Sequence, residues 1–370
     1  MKKLIILILT LLLLPVVNKV WSQGGEFAED QLKWYRGSIL EIISEKPASS
    51  LEGTTLKETI QTLKVRVNSG QYKGKIFEVE NHLTGQPIFD IKVKKGDRVL
   101  LLIDEDKGKV ENIYLADMER DRSVYFLLVL FVLAVFLFAG AQGLRSLIGL
   151  ILTVFLLVGV FLPLAAAGHE PLNLTLLIVG ISSLVTFLLV GGLKRKTLAG
   201  IMGTWGGIGF SYLLVMYFGR SAYLKGLVEE EAQMLQMTEG FSAFNFQGLI
   251  FSAILIGALG AVMDVAMSVA SAISEVKTAN LASTRNDLIK AGFNVGRDII
   301  GTMTNTLVLA YMGGALPILL LFMVYNPPYI KMINLELIST ELIRTLVGSL
   351  GLIFTAPITT IIASVLESRR

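Results

Sequence analysis

Cysteine is absent from all 370 residues, and only two histidines, His82 and His169, occur. No disulfide framework, thiolate nucleophile or cysteine metal site is open to the chain, and a histidine-rich metal centre is equally out of reach. Charge is scarce as well. Lys, Arg, Asp and Glu make up 17% of the chain, against about 25% in a typical soluble domain. Hydrophobic residues make up 53%, which indicates a membrane class. The formal net charge of +3 is too small to argue for a nucleic-acid partner. Enzyme signatures are missing too: HExxH, GxSxG, a Walker GxxxxGKS/T loop and intramembrane GxGD do not occur. Ser182, near Gly180, has no histidine in the helical region beyond His169 to activate it. We therefore expect no enzymatic activity, no cofactor and no metal.

The residues that are present fall into blocks. The chain starts with Lys2 and Lys3, then an apolar run from 4 to 17, shorter than the roughly 20 residues that cross a bilayer. Val20 and Ser22 stand in the spacing of a signal-peptidase site, so residues 1–22 read as a signal peptide or N-terminal anchor that exports the chain from Gln23 onward. Residues 23–122 are rich in charge and contain alternating runs at 38–43, 63–67, 76–80, 99–103 and 110–115. Turn chemistry such as Asn68-Ser69-Gly70, Lys95-Gly96-Asp97 and Asp106-Lys107-Gly108 separates them. Five such runs predict a small extracytoplasmic β-rich barrel or sandwich. Segment 45–62, with Pro47 and paired serines, interrupts the pattern and is open to a helical turn.

From residue 123 to 370 the chain is a transmembrane helical domain of about seven helices, with spans expected at 124–141, 147–164, 172–192, 198–218, 248–264, 299–324 and 342–364. With the β domain outside, the inside loops carry Arg145; Lys194, Arg195 and Lys196; Lys277, Arg285, Lys290 and Arg297; and Arg369 and Arg370. Fewer basic residues (Arg220, Lys225, Lys331, Arg344) fall outside. This bias places the C-terminus in the cytoplasm.

The residues that could carry chemistry lie between 257 and 305. Asp264, Ser268, Ser271 and Glu275 recur at helical spacing and form one stripe. Asp298, Thr302 and Asn305 form a second, with Arg297 at its entrance and Gly301 as a gap. Polar groups in hydrocarbon are costly and usually face a bundle interior or a wet cavity. Two stripes opening on the cytoplasmic side could together line a polar vestibule. Ser268, Ser271 and Thr302 fit simple helix-to-helix hydrogen bonding. Asp264 and Asn305 point instead to a functional or ion-pairing role, Arg297 being the candidate partner. Glu275 and Asp298 fit solvent exposure as well as a site.

Other features carry less. Gly203 and Gly207 form a GxxxG, explained by close helix packing. Gly313, Gly314 and Pro317 mark a candidate hinge, and Pro357 another, because proline removes a backbone hydrogen bond. The loop at 219–247 holds Glu229, Glu230 and Glu231 ahead of Met234 and Met237, which reads as a surface amphipathic helix. His169 beside Glu170 reads as exposed and inert.

The run Met263-Asp264-Val265-Ala266-Met267-Ser268-Val269-Ala270-Ser271-Ala272-Ile273-Ser274-Glu275 precedes Gly296-Arg297-Asp298-Ile299-Ile300-Gly301-Thr302-Met303-Thr304-Asn305-Thr306-Leu307. This pair of motifs resembles the YibE/F family of bacterial multi-pass membrane proteins, as do 194–199 and Gly203-Thr204. The likeness covers roughly residues 120 to 365. It implies a bacterial cell-membrane setting and a similar helix count, and it brings no catalytic residue with it.

Two functions are expected on this basis. The leading one is a transporter or permease-like channel for a small solute or ion, with Asp264 as the key carboxylate. No inverted repeat is visible, which counts against the common secondary-transporter plans. The rival is a non-transporting accessory, receptor or scaffold whose external β domain binds an envelope component or protein partner. Besides the lipid bilayer, a homo-oligomer through the GxxxG region is a further expected association.

Overall fold

Alternation of apolar and polar residues with a period of two builds the first unit. The computed structural model describes residues 32–47, 59–86, 88, 90–106 and 109–368; the expected signal segment, and Arg369 and Arg370, lie outside the described residues. Five strands form one antiparallel sheet in the order β3-β2-β1-β4-β5: β1 (Leu32–Pro47), β2 (Thr59–Val67), β3 (Ile76–Leu83), β4 (Arg98–Asp106) and β5 (Lys109–Met118). Each of the five expected runs falls inside one of these strands. Along β2, Leu63, Val65 and Val67 point inward while Lys64 and Arg66 do not.

β1 is long enough to serve two neighbours. Its first half pairs with β4, from Leu32 opposite Asp104 to Ser38 opposite Arg98. Its second half pairs with β2, ending at Pro47 opposite Thr59. Register shifts after Ile39 and Ile42 bend the strand, as bulges do, so the sheet curls. The end strands β3 and β5 then approach each other, giving a nearly closed barrel with the layout of a five-stranded, partly open Greek key. Tyr35, Ile39, Leu63, Val65, Val79, Val99, Leu101 and Ile103 fill the interior. Each such side chain contributes about 1.5–3 kcal/mol by leaving water. Of the segment 45–62, where an interruption was expected, 45–47 and 59–62 are strand, 45–47 pairing with 59–61; 48–58 lie outside the described residues.

The chain divides into two compact units whose boundary, at Val135, falls inside the first helix after the barrel, and the region beyond the barrel is almost wholly helical. It comprises α1 (Asp121–Leu156), a π-helical turn (Leu157–Phe161), α2 (Leu162–Ala166), α3 (Pro171–Gly191), α4 (Arg195–Ser221), α5 (Glu230–Met237), α6 (Phe246–Ala279), α7 (Arg285–Gly314), α8 (Leu316–Tyr325), α9 (Tyr329–Ile333) and α10 (Glu336–Ser368). Among the described residues, five helices are long and apolar enough to cross a membrane, or six if α7 and α8, bent by 62°, count as one broken span. α1 contains one non-helical residue, Gly140, with φ 54° and ψ −141°. That conformation is open to glycine and strained for other residues.

α4, α6 and α10 pack mutually and form the centre of the bundle, with α7 against α6 and α10 and α3 against α4 and α6. Val262, Val265, Val269, Ile273, Leu352 and Ala356 share the central cluster. In lipid such burial drives little association, because the surrounding tails are as apolar as leucine; close packing of small residues does more. The α4–α10 contact shows this. A Cβ on Gly203 would lie 2.9 Å from Thr359 Cβ, one on Gly207 would overlap Thr355 Oγ1, and one on Gly351 would lie 3.2 Å from Ser211 Cβ. The GxxxG is therefore filled by α10 of the same chain. It does not offer the free surface expected for an oligomer.

Candidate functional site

Asn245 starts α6: its Oδ1 accepts from the Gly248 N–H at 2.7 Å, while its Nδ2 donates to Glu170 at 2.8 Å. With 34 residues, α6 is about 51 Å long at 1.5 Å per residue, well past the expected span of 248–264. α7 begins in a capping box, Thr284 and Asp287 exchanging hydrogen bonds, and it too starts earlier than expected. The two helices run antiparallel in a register set by two contacts. A Cβ on Gly292 would meet Ile273 Cδ1 at 2.7 Å, and one on Gly257 would meet the Tyr311 hydroxyl at 2.5 Å.

That register brings the two stripes to matching levels. Counting between the two contacts places Asp264 level with Thr302, Ser268 with Asp298, and Glu275 with Lys290. Both stripes, however, turn out of the bundle. On α6 the packed face is Ala258, Val262, Val265, Val269 and Ile273. Asp264, Ser268 and Glu275 are exposed on the opposite side, with Ser271 half-buried. On α7 the packed face runs through Leu288, Gly292, Gly296 and Leu307, and Arg297, Asp298, Thr302 and Asn305 are exposed. The stripes are side by side and open. They do not close a vestibule within one chain.

Partners are correspondingly few. Thr302 Oγ1 donates to the Asp298 and Ile299 carbonyls, at 3.3 and 3.1 Å. Among the described residues the side chains of Asp264, Ser268, Ser271, Glu275, Arg297 and Asn305 make no hydrogen bond or ion pair. Arg297 is thus not bonded to Asp264. Among the described residues no cluster of His, Asp and Glu could hold a metal.

The candidate hinges behave differently from one another. α7 stops at Gly314, and α8 leaves at 62° with Pro317 in its first turn. α10 continues through Pro357. Arg344, read from sequence only as a flanking charge, has a nearby role. It pairs with Glu341 at 3.0 Å and lies 3.9 Å from Glu229, beside a cavity of about 230 Å³ lined in part by Ala232, Ile250 and Thr340. The helix α5, just after Glu229, has no buried residue.

The barrel holds a polar cluster that sequence spacing did not reveal. Glu105 accepts from the Tyr35 hydroxyl at 2.8 Å, from Gln71 Nε2 at 2.7 Å and from Lys33 Nζ at 3.2 Å. The hydrogen bond from Tyr35 and the neighbouring Lys33 hold the Glu105 carboxyl below its ordinary range. Burial and the Glu105 carboxylate push the Tyr35 phenol up to about 12. These residues come from β1, its neighbour β4 and a turn between β2 and β3, so only the assembled sheet joins them. Elsewhere on the barrel a cleft of about 600 Å³ is lined by Arg36, Ser38, Asn68, Arg98 and Glu119, among others.

A nearly closed barrel ahead of long apolar helices, two of which carry open polar stripes, defines a membrane protein of modular build. Two family profiles agree with that division. The YibE/F-like protein family matches residues 127–369, and the YibE/F family N-terminal domain matches residues 33–118. The chain belongs to the YibE/F family. No curated protein and no solved structure matches it.

Proposed function

We propose that the protein is permease-like and moves a small solute or ion along the polar face of α6 and α7. The observation that carries this reading is the level pairing of two stripes that point away from the packed core, with Asp264, Glu275 and Arg297 unpaired. Unpaired Asp264 at the level of Thr302 is costly against hydrocarbon, so this face belongs against water or another polar surface. In this reading the chain lies in the bacterial cell membrane and crosses it seven times. Gly140 divides the 46-residue stretch 121–166 into two crossings, and the bent α7–α8 pair makes one. The barrel then lies outside the cytoplasm and the C-terminus inside, in keeping with the distribution of Lys and Arg. Asp264 is the carboxylate that binds the moving cation or proton. Purified protein in proteoliposomes, loaded with a panel of monovalent cations and small solutes, tests this. Asp264→Asn is expected to abolish a flux that the wild type supports, and unchanged flux for every solute moved would refute the assignment.

A second reading, an accessory protein that binds an envelope component or partner, draws support from the barrel. That unit has its own core and presents the cleft between Arg36, Arg98 and Glu119. Deleting residues 23–122 separates the two: a permease keeps measurable flux, whereas an accessory protein loses its cross-linked partner.

A further inference from the structure

We infer that a second copy of this chain packs on the α6–α7 face about a two-fold axis along the membrane normal, so that the polar path is completed between two copies. The inference rests on the permease reading for its function, and on charge and shape for its geometry. α6 presents Asp264 and Glu275 outward and α7 presents Lys290 and Arg297, all exposed. Asp287, the acid nearest Lys290 on α7, is committed to the Thr284 cap.

A rotation about the membrane normal keeps every residue at its own depth, and a two-fold axis exchanges α6 of one copy with α7 of the other. Because Glu275 is level with Lys290, the acid of each copy then meets the base of the other, twice, while Asp264 of each copy meets Thr302 of the other. No tilt or slide is needed. Gly260 on α6 and Gly301 on α7 flank Asp264 on this face, and a Cβ on either would meet nothing within 4 Å. Like Gly180 and Gly209, these two stand open, which lets a second backbone approach. Unpaired polar groups at this depth gain partners by that approach, where lipid tails provide none.

The cysteine-free chain permits a direct test. Two differently tagged full-length chains are co-expressed, one carrying Glu275→Cys and the other Lys290→Cys, and their membranes are treated with a mild oxidant. A mixed disulfide is expected, running at about twice the 40.4 kDa chain mass, whereas Leu213→Cys, exposed on α4, forms none with either. Maleimide labelling of each single variant establishes that it is inserted and reactive. Reactive cysteines that form no mixed disulfide, or that link instead to a band of another mass, overturn the two-fold pairing. Flux keeps the two proposals apart. A dimer whose Asp264→Asn variant still transports refutes the path and leaves the interface standing. A chain that shows no cross-link but loses flux on Asp264→Asn refutes the interface alone.

Discussion

If close contact between α4 and α10 holds the bundle together, one added methyl group should be costly at Gly203, relievable at Gly207 and harmless at Gly209. At Gly203 the new Cβ would lie 2.9 Å from Thr359 Cβ and 3.3 Å from Thr359 Cα, atoms that no side-chain rotation can move. Overpacking of this kind costs about 1–3 kcal/mol. The upper end applies because backbone must shift, while alanine's better helix propensity returns about 1 kcal/mol. The net for Gly203→Ala is about 2 kcal/mol, which lowers Tm by about 4–8 °C for a unit of this size. At Gly207 the overlap is with Thr355 Oγ1, while Thr355 Cβ and the Gly351 carbonyl lie at 3.1 Å. Removing that oxygen in Gly207→Ala/Thr355→Ala should recover part of the loss, with a coupling of about 1–2 kcal/mol, even though Thr355 gives up its 2.7 Å bond to the Gly351 carbonyl. Gly209 has nothing within 4 Å of an added Cβ, so Gly209→Ala should leave Tm unchanged or raise it. Thermal unfolding in detergent, monitored by tryptophan fluorescence, reads these four variants and Thr355→Ala alone, which the coupling requires. Equal destabilisation at Gly203 and Gly209, or no coupling between 207 and 355, would refute the packing argument.

Other expectations rest on separate features. The phenol of Tyr35 is raised to about 12 in the folded barrel, against about 10 in an unfolded chain. The folded state therefore holds more protons between those values, and stability present below pH ~10 is lost as pH rises towards ~12; Tyr35→Phe should flatten that slope in denaturant titrations read by circular dichroism. Glu105 has a lowered folded value, so its contribution is present above the ordinary glutamate range and is lost as pH falls through the folded value. Glu105→Gln should remove this acid-side dependence in the same titration. Asn245→Ala removes the α6 N-cap and should cost about 1 kcal/mol, whereas Glu170→Gln keeps the cap and should cost less; thermal unfolding distinguishes the two, and equal losses would show that the Glu170 contact matters as much as the cap.

Five strands, the apolar helices and the break before Pro317 were legible in the sequence because each depends on local chemistry. Strand alternation at 63–67 reports a two-residue period, and glycine pairs ahead of proline mark a bend wherever they occur. The polar stripes were legible in the same limited sense. Spacing shows that Asp264, Ser268, Ser271 and Glu275 share one side of α6, since that is a property of one helix about its own axis. It says nothing about which way that side faces. Tertiary packing decided this: α10 and α4 take the apolar face of α6 and turn both stripes outward. Packing also chose the partner of Gly203 and Gly207, assembled the Tyr35–Glu105 cluster from strands about 70 residues apart, and set Glu229 near Arg344. Each of these depends on contacts between distant parts of the chain, whose relative rotation no local period encodes. The sequence by itself determined a small β-rich unit, a set of membrane-type helices and two polar stripes; the tertiary structure closed the strands into a barrel and decided that the stripes lie level, side by side and open.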